Sequence, residues 1–233
     1  ANVSERSLPV VVEQSWTRNT SYVKKFFVES PTISDEDIKD SDIDILATNV
    51  RDLVRSVARQ VDIRIYNVIT DNVSGTPFDG STVTSAAATA DGWNDAVTGD
   101  PIKDIMLGVT TIRNQSYDTT DLVMILNPTD HSNLLQFLIT VKGSSIPQFS
   151  SEKVKTGVVM ELLGVRIVVS ANATADYAVM FIPQRACSWK GFMPITSIVL
   201  NDPGIGKKIR VWEEGEAILT DPNAVYGITD IEV

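Results

Sequence analysis

The sequence predicts an α+β fold, and three observations carry that prediction. Apolar residues at Leu46, Val50, Leu53, Val54, Val57 and Val61 recur at the spacing of a single helical face. The pairs Asp100-Pro101 and Asn127-Pro128 each stand before a second and a third run of helical spacing. From Val158 onward the pattern is β-dominated, and helices and strands interleave without a repeated βαβ rhythm.

Taken in order, residues 1–8 are polar and irregular and read as an N-terminal arm without a core of its own. Residues 9–33 hold two β-rich runs, Val10 to Trp16 and Tyr22 to Val28, joined by the turn-rich segment Thr17 to Ser21. They read as an extended β-hairpin, closed by Pro31. The long helix follows, with Ser34 and Asp37 or Ser41 and Asp44 offering a capping start. Acidic residues from Asp35 to Asp44 crowd its front, and Arg51, Arg55 and Arg59 line its back, an order that complements the helix dipole. The acidic run lacks the glycine and the closing glutamate of a calcium loop and reads as a solvated face. Ile63 to Ile69 alternates and predicts a strand directly after the helix.

Thr70 to Asp100 contains no Lys or Arg and is rich in small polar residues, so it is expected to contact partners rather than build core. Its Ser81–Ala88 tract is low in complexity and is expected to be mobile. The helix opened by Asp100-Pro101 presents Ile102, Ile105, Met106, Val109 and Ile112; after the strand Leu122–Leu126, the next helix presents Leu134, Leu135 and Leu138. Later strands are expected at 158–162, 166–170, 178–182, 196–200, 207–214 and 216–220, separated by Gly, Asn and Pro turns.

Composition bounds the function. The chain has 233 residues, 43% hydrophobic and 21% charged, which suits one large globular domain or two modest ones. Thirty acidic residues against 20 basic ones give a net charge of -10, which argues against a dedicated nucleic-acid reader but leaves room for local basic patches. The longest apolar runs, Met124 to Leu126 among them, fall far short of the ~20 residues of a membrane helix. With runs this short no membrane partner is expected, and no charged-then-apolar leader opens the sequence, so no signal peptide is expected.

Chemistry has few candidates. A single cysteine, Cys187, leaves no internal disulfide and no cysteine-based zinc site, and it is expected to be a plain buried small residue. A single histidine, His131, is the one candidate histidine base, but beside Asp130 it is expected in a surface or capping role. Gly204-Ile205-Gly206-Lys207-Lys208 lacks the spacer and the Ser/Thr of a phosphate loop and reads as a turn. No nucleophile elbow, zinc-protease or dinucleotide motif is present. The expectation is therefore no enzyme, no catalytic residue, no cofactor and no metal.

Several ordered motifs point elsewhere. Asp121-Leu122-Val123-Met124-Ile125-Leu126-Asn127-Pro128 before a helix, Leu162 to Ser170 around Leu163-Gly164, Ala178 to Pro183, and Asp221-Pro222-Asn223-Ala224-Val225 after Trp212-Glu213-Glu214-Gly215 follow one another along the chain. In this order they resemble the major capsid proteins of tailed viruses, the Hong Kong 97-like fold, with Arg166 standing where that family usually has a proline. The resemblance implies an N-terminal arm (1–8), an extended β-hairpin loop (9–33), a peripheral domain with a spine helix (34–69), an axial domain (70–200) and closing peripheral strands (201–233). It implies a structural protein that self-assembles into pentamers and hexamers of an icosahedral shell around double-stranded DNA. The partners implied are further copies of the chain, a portal protein, scaffolding or decoration proteins, and the packaged DNA by weak non-specific contact. The implied location is the virion capsid, assembled in the host cytoplasm.

An encapsulin-type nanocompartment, which encloses cargo enzymes, shares the fold and is the alternative. If the hairpin projects, neighbouring subunits must cover its aromatic residues, which makes Trp16, Phe26 and Phe27 candidate interface residues with Lys24 and Lys25. On this reading Phe26 lies outside the subunit's own core, and Phe26→Asp spares the fold while stopping assembly. Some family members join subunits through lysine–asparagine bonds. Lys24 and Lys25 occupy a suitable segment, but paired lysines on a strand edge more simply discourage aggregation, and no crosslink is expected.

Overall fold

A computed structural model describes residues 20–41, 43–89, 92–95, 98–140 and 161–232. The expectations for the 1–8 arm, the 10–16 run with Trp16, and residues 158–160 lie outside the described residues. In chain order the elements are β1 (Lys24–Glu29), β2 (Ile33–Ser34), α1 (Asp35–Asp40), α2 (Ile45–Ile69), β3 (Thr84–Ala87), α3 (Pro101–Asn114), β4 (Val123–Leu126), α4 (Pro128–Thr140), β5 (Glu161–Leu162), β6 (Val165–Val169), β7 (Tyr177–Phe181), β8 (Cys187–Asp202), β9 (Gly206–Leu219) and β10 (Val225–Thr229).

Of the two capping candidates, Ser34 caps a short separate helix, α1, whereas Ser41 ends α1 and α2 is capped by Asp44 itself. Ser34 Oγ accepts the Asp37 amide at 3.0 Å and starts α1. Asp44 Oδ1 accepts the Ala47 amide at 3.0 Å and starts α2. The apolar stripe of α2 packs as its spacing requires, with Val57 fully buried and Leu46, Val50, Leu53 and Val54 packed beside it. The expected strand at 63–69 is a correction: α2 runs through Ile69, and Tyr66 and Ile69 are buried. Extending a formed helix adds a hydrogen bond per residue without a new nucleation cost, and that outweighs the strand preference of the β-branched residues. The dipole account of the arginines is also corrected. Arg51, Arg55 and Arg59 stand in the middle of α2, whose first turn has no acidic residue and whose last has no basic one.

One sheet is built around β9, 14 residues long. It pairs antiparallel with the 16-residue β8 on one side and with β1 and β2 on the other. Residues expected as two strands at 207–214 and 216–220 form this single strand, which passes Gly215 unbroken. A Cβ at Gly215 would come within 2.3 Å of the Trp189 ring, so glycine here admits a tryptophan rather than ending the strand. The turn expected at Gly204 joins β8 to β9, with Gly204 at φ +78°. Helix α2 lies against one face, burying Ile33, Val57, Ile209 and Val211 with Phe26 and Val28 packed at the margin.

The second sheet has the order β3-β10-β7-β4-β6-β5, with β3/β10 and β4/β6 parallel and the other pairs antiparallel. Alternate residues of its strands feed two cores. Met124, Leu126, Met180 and Ile228 face α3 and α4 through Ile105, Ile112, Leu134 and Leu138. Val179 and Val225 join Tyr66 and Ile69 of α2 with Phe78 and Val83. The 70–100 segment is thus core-building, contrary to expectation. It supplies β3, Phe78, Val83 and Trp93. Carboxylates replace regular backbone pairing there. Asp71 accepts the Thr82 amide at 2.7 Å, Asp79 the Val73 and Ser74 amides at 2.6 and 2.8 Å, and buried Asp104 the Trp93 indole N–H at 2.9 Å. The Ser74 hydroxyl and these amides hold the Asp79 carboxyl down at about 2.

Three further expectations are revised. Met106 points outward from α3, 54% exposed, and its place in the core is taken by Gly108 and Asp104. His131 is buried rather than at the surface. Strand β10, which no sequence signal marked, lies inside the second sheet, and β8 (187–202) joins the first. The sheets therefore divide the chain differently from the 70–200 and 201–233 segments.

Candidate assembly surface

The first sheet has one face against α2 and one face open. Residues directly opposite in an antiparallel pair share a face, so the registers fix which side chains meet. On the open face Phe27 lies opposite Trp212, which lies opposite Thr196; Lys25 and Met193 flank Glu214; Glu29 and Ile198 flank Arg210. Three polar contacts tie these rows together. Lys25 Nζ is 3.2 Å from Glu214 Oε1, Arg210 Nε donates to Glu29 Oε2 at 2.5 Å, and Trp212 Nε1 donates to Met193 Sδ at 3.0 Å. The Lys25 ammonium also stands 5.4 Å from the Trp212 ring centroid and 5.9 Å from that of Phe27. Phe27 is 44% exposed and Ile198 45%, and beside them Phe192 and Val23 line an open groove with Lys24, Lys25 and Glu214.

The strand edges are open too. Among the described residues β1 and β8 each pair only with β9, which leaves one backbone edge of each unpaired. Pro194 and the register shifts between Gly191 and Thr196 interrupt the β8 edge, and Lys24 and Lys25 charge the start of β1.

The candidate residues divide by face. Phe27 and Lys25 lie together on the open side, and Lys24 is exposed opposite Gly215. Phe26 lies on the other side, half-buried on the α2 core with its ring 6.2 Å from Trp189. Phe26 therefore belongs to the subunit's own packing, and the expectation that its loss spares the fold is corrected. Trp212, Met193 and Ile198 were missed. Their signal lay in the alternation of Lys208, Arg210, Trp212 and Glu214 against buried Ile209 and Val211, where a tryptophan sits on the polar side.

Elsewhere the titratable groups serve the fold. Arg64 of α2 donates to Glu216 Oε1 through Nε at 2.8 Å and Nη2 at 2.5 Å, clamping the helix to β9, with Glu216 almost fully buried. Asp130 is fully buried and accepts the Asp176 amide at 3.2 Å; burial above all, then the nearby Glu232 and Asp176 charges, pushes its carboxyl up to about 6. Burial raises the Cys187 thiol as well, away from nucleophile character. Among the described residues no group of three or more His, Cys, Asp or Glu is placed to hold a metal ion, and no helix is long and apolar enough to cross a membrane.

Comparison with known proteins adds to this geometry. A family model described as phage capsid protein matches residues 32–228. Among solved structures, one from Mycobacterium phage Che8 is 17% identical with a TM-score of 0.69, over 90% of this chain and 72% of that one. The capsid of the cyanophage P-SCSP1u is 14% identical with a TM-score of 0.67, over 95% and 80%. A virus-like particle from Pyrococcus furiosus is 12% identical with a TM-score of 0.61, over 89% and 76%. No curated protein matches by sequence.

Proposed function

The chain belongs to the phage capsid protein family, a tailed-virus major capsid protein of Hong Kong 97-like fold, and from that premise we propose that it assembles into pentamers and hexamers of an icosahedral shell around double-stranded DNA. The observation that carries the assembly reading is the open face of the first sheet. Phe27, Ile198 and Phe192 offer exposed apolar surface around half-buried Trp212 that no other element of the described chain covers, and it continues onto two unpaired strand edges. A repeated subunit covers such a surface with its neighbours, so the contact recurs throughout the shell. The role is structural rather than catalytic. Portal, scaffolding and decoration proteins are further partners in this reading, and the place of work is the virion, with assembly in the host cytoplasm.

Electron microscopy of the purified full chain tests this. Closed particles with five- and six-fold capsomers are expected; a folded, monodisperse monomer under all assembly conditions would overturn the reading. The likeness to the Pyrococcus furiosus particle favours a second reading, a nanocompartment around cargo enzymes. The contents separate the two, since nuclease-protected double-stranded DNA supports the virion and co-purifying cargo protein supports the compartment.

A further inference from the structure

A free strand edge offers unpaired backbone groups to any other strand that reaches it, and proteins commonly guard such edges. Lys24 and Lys25 charge the start of β1, and Pro194 with register shifts interrupts β8. The strands β2 and β5 are two residues long, and β5 carries Glu161. Among the described residues β3 is the exception. It ends the second sheet, pairs only with β10, and lies within Gly80 to Ala90, a stretch without a charge or a proline.

The hydrogen bonds show which backbone groups β3 leaves free. Successive residues of a strand turn their N–H and C=O groups to opposite edges. The Ala88 amide donates to the Thr229 carbonyl at 2.7 Å, so the groups of Thr84, Ala86 and Ala88 turn towards β10. Those of Ser85 and Ala87 turn outward, and both residues are exposed. On this outward side the next amide in each direction is held by a carboxylate. Asp71 Oδ2 accepts the Val83 amide at 3.4 Å, and Asp104 Oδ1 accepts the Thr89 amide at 3.0 Å. Side chains thus close the edge at both ends and leave a window of two residues, each with an N–H and a C=O facing outward.

We infer that this window of β3 pairs with an extended segment of a second copy of the chain, which adds a strand to the second sheet. This rests on the reading of the chain as a self-assembling shell subunit. Strand addition reads backbone geometry rather than side chains, and in a shell the backbone nearest to each subunit is that of its neighbour. The contact is chemically distinct from the open face of the first sheet. That face offers aromatic and aliphatic side chains, whereas β3 offers main-chain donors and acceptors between two carboxylate stops.

Hydrogen–deuterium exchange of the full chain, unassembled and in particles, reads the window directly. The Ser85 and Ala87 amides are expected to exchange freely in the subunit and slower by about tenfold or more in particles, while Ala86 is protected in both. Two variants test the same edge. Ser85→Lys/Ala87→Lys charges it, and Ser85→Pro removes one outward N–H without taking a donor from the ladder to β10. Each is expected to lower particle yield severalfold and to leave the melt of the unassembled subunit unchanged. Exchange of Ser85 and Ala87 that is equally fast in subunit and particle overturns the inference and leaves the shell reading standing. Normal particle yield from both variants overturns it as well, and where a variant fails to fold the wild-type exchange decides. Protection that requires a different protein in the particle assigns the edge to that protein and also overturns the inference. A wild-type chain that stays monomeric under all assembly conditions overturns the shell reading itself, and this inference with it.

Discussion

The two sheets are organised on opposite principles. The second is buried on both faces, between α3 and α4 on one side and the end of α2 with the 70–83 segment on the other, so β4, β7 and β10 are almost wholly inside. The first is buried on one face only, and all 16 residues of β8 are at least partly exposed. Apolar burial stabilises in proportion to area removed from water. The second body therefore carries its own stability, while the first is left with a face whose burial depends on something outside the chain.

Leu126→Ala should break this contrast most severely. Leu126 is fully buried in the central strand β4, and the truncation should cost about 2–5 kcal/mol, read as a lowered midpoint in urea. Arg64→Ala comes next, at about 3 kcal/mol, because it leaves Glu216 buried without its cation, whereas Arg64→Ala/Glu216→Gln should recover part of the loss. That pair of measurements shows how firmly α2 is clamped to the sheet. A smaller effect of opposite sign is expected for Asp130→Asn. The raised carboxyl of Asp130 favours folding below about pH 4, and that contribution disappears as pH rises through about 6. Removing the charge should stabilise the subunit by roughly 2 kcal/mol at pH 7 and flatten its stability between pH 4 and 6.

Several parts of this contrast were legible in the sequence. The 3.6-residue stripe of α2 and the two Asx-Pro starts specify helices by local chemistry, and those helices formed where expected apart from their ends. What was not legible depends on partners distant in sequence. Ile63 to Ile69 alternates like a strand, yet it extends a helix already formed. Phe78, Val83 and Trp93 are spaced irregularly because their segment is held by the side chains of Asp71, Asp79 and Asp104 rather than by a regular element. Phe26 and Phe27 are adjacent aromatics in sequence, and only the pairing of β1 with β9 decides that one faces the core and the other the open side.

The smallest effect expected is no effect. Lys25 is engaged by Glu214 and by two rings, and Lys24 faces solvent opposite Gly215. Assembled particles are expected to run as a single band on a denaturing gel, and a ladder of high-mass species would assign one of these lysines to a covalent bond between subunits.

The central claim is that the open face of the first sheet is completed by other subunits, and Phe27 tests it most directly. Phe27→Asp places a charge on that face while leaving the α2 core and the second body untouched. Sedimentation velocity of wild-type and variant chains, with a thermal melt of each unassembled subunit, is the measurement. The wild type should sediment as large particles and the variant as small species, with the variant's subunit stability within about 0.5 kcal/mol of wild type. Particles of normal size and yield from Phe27→Asp would contradict the account.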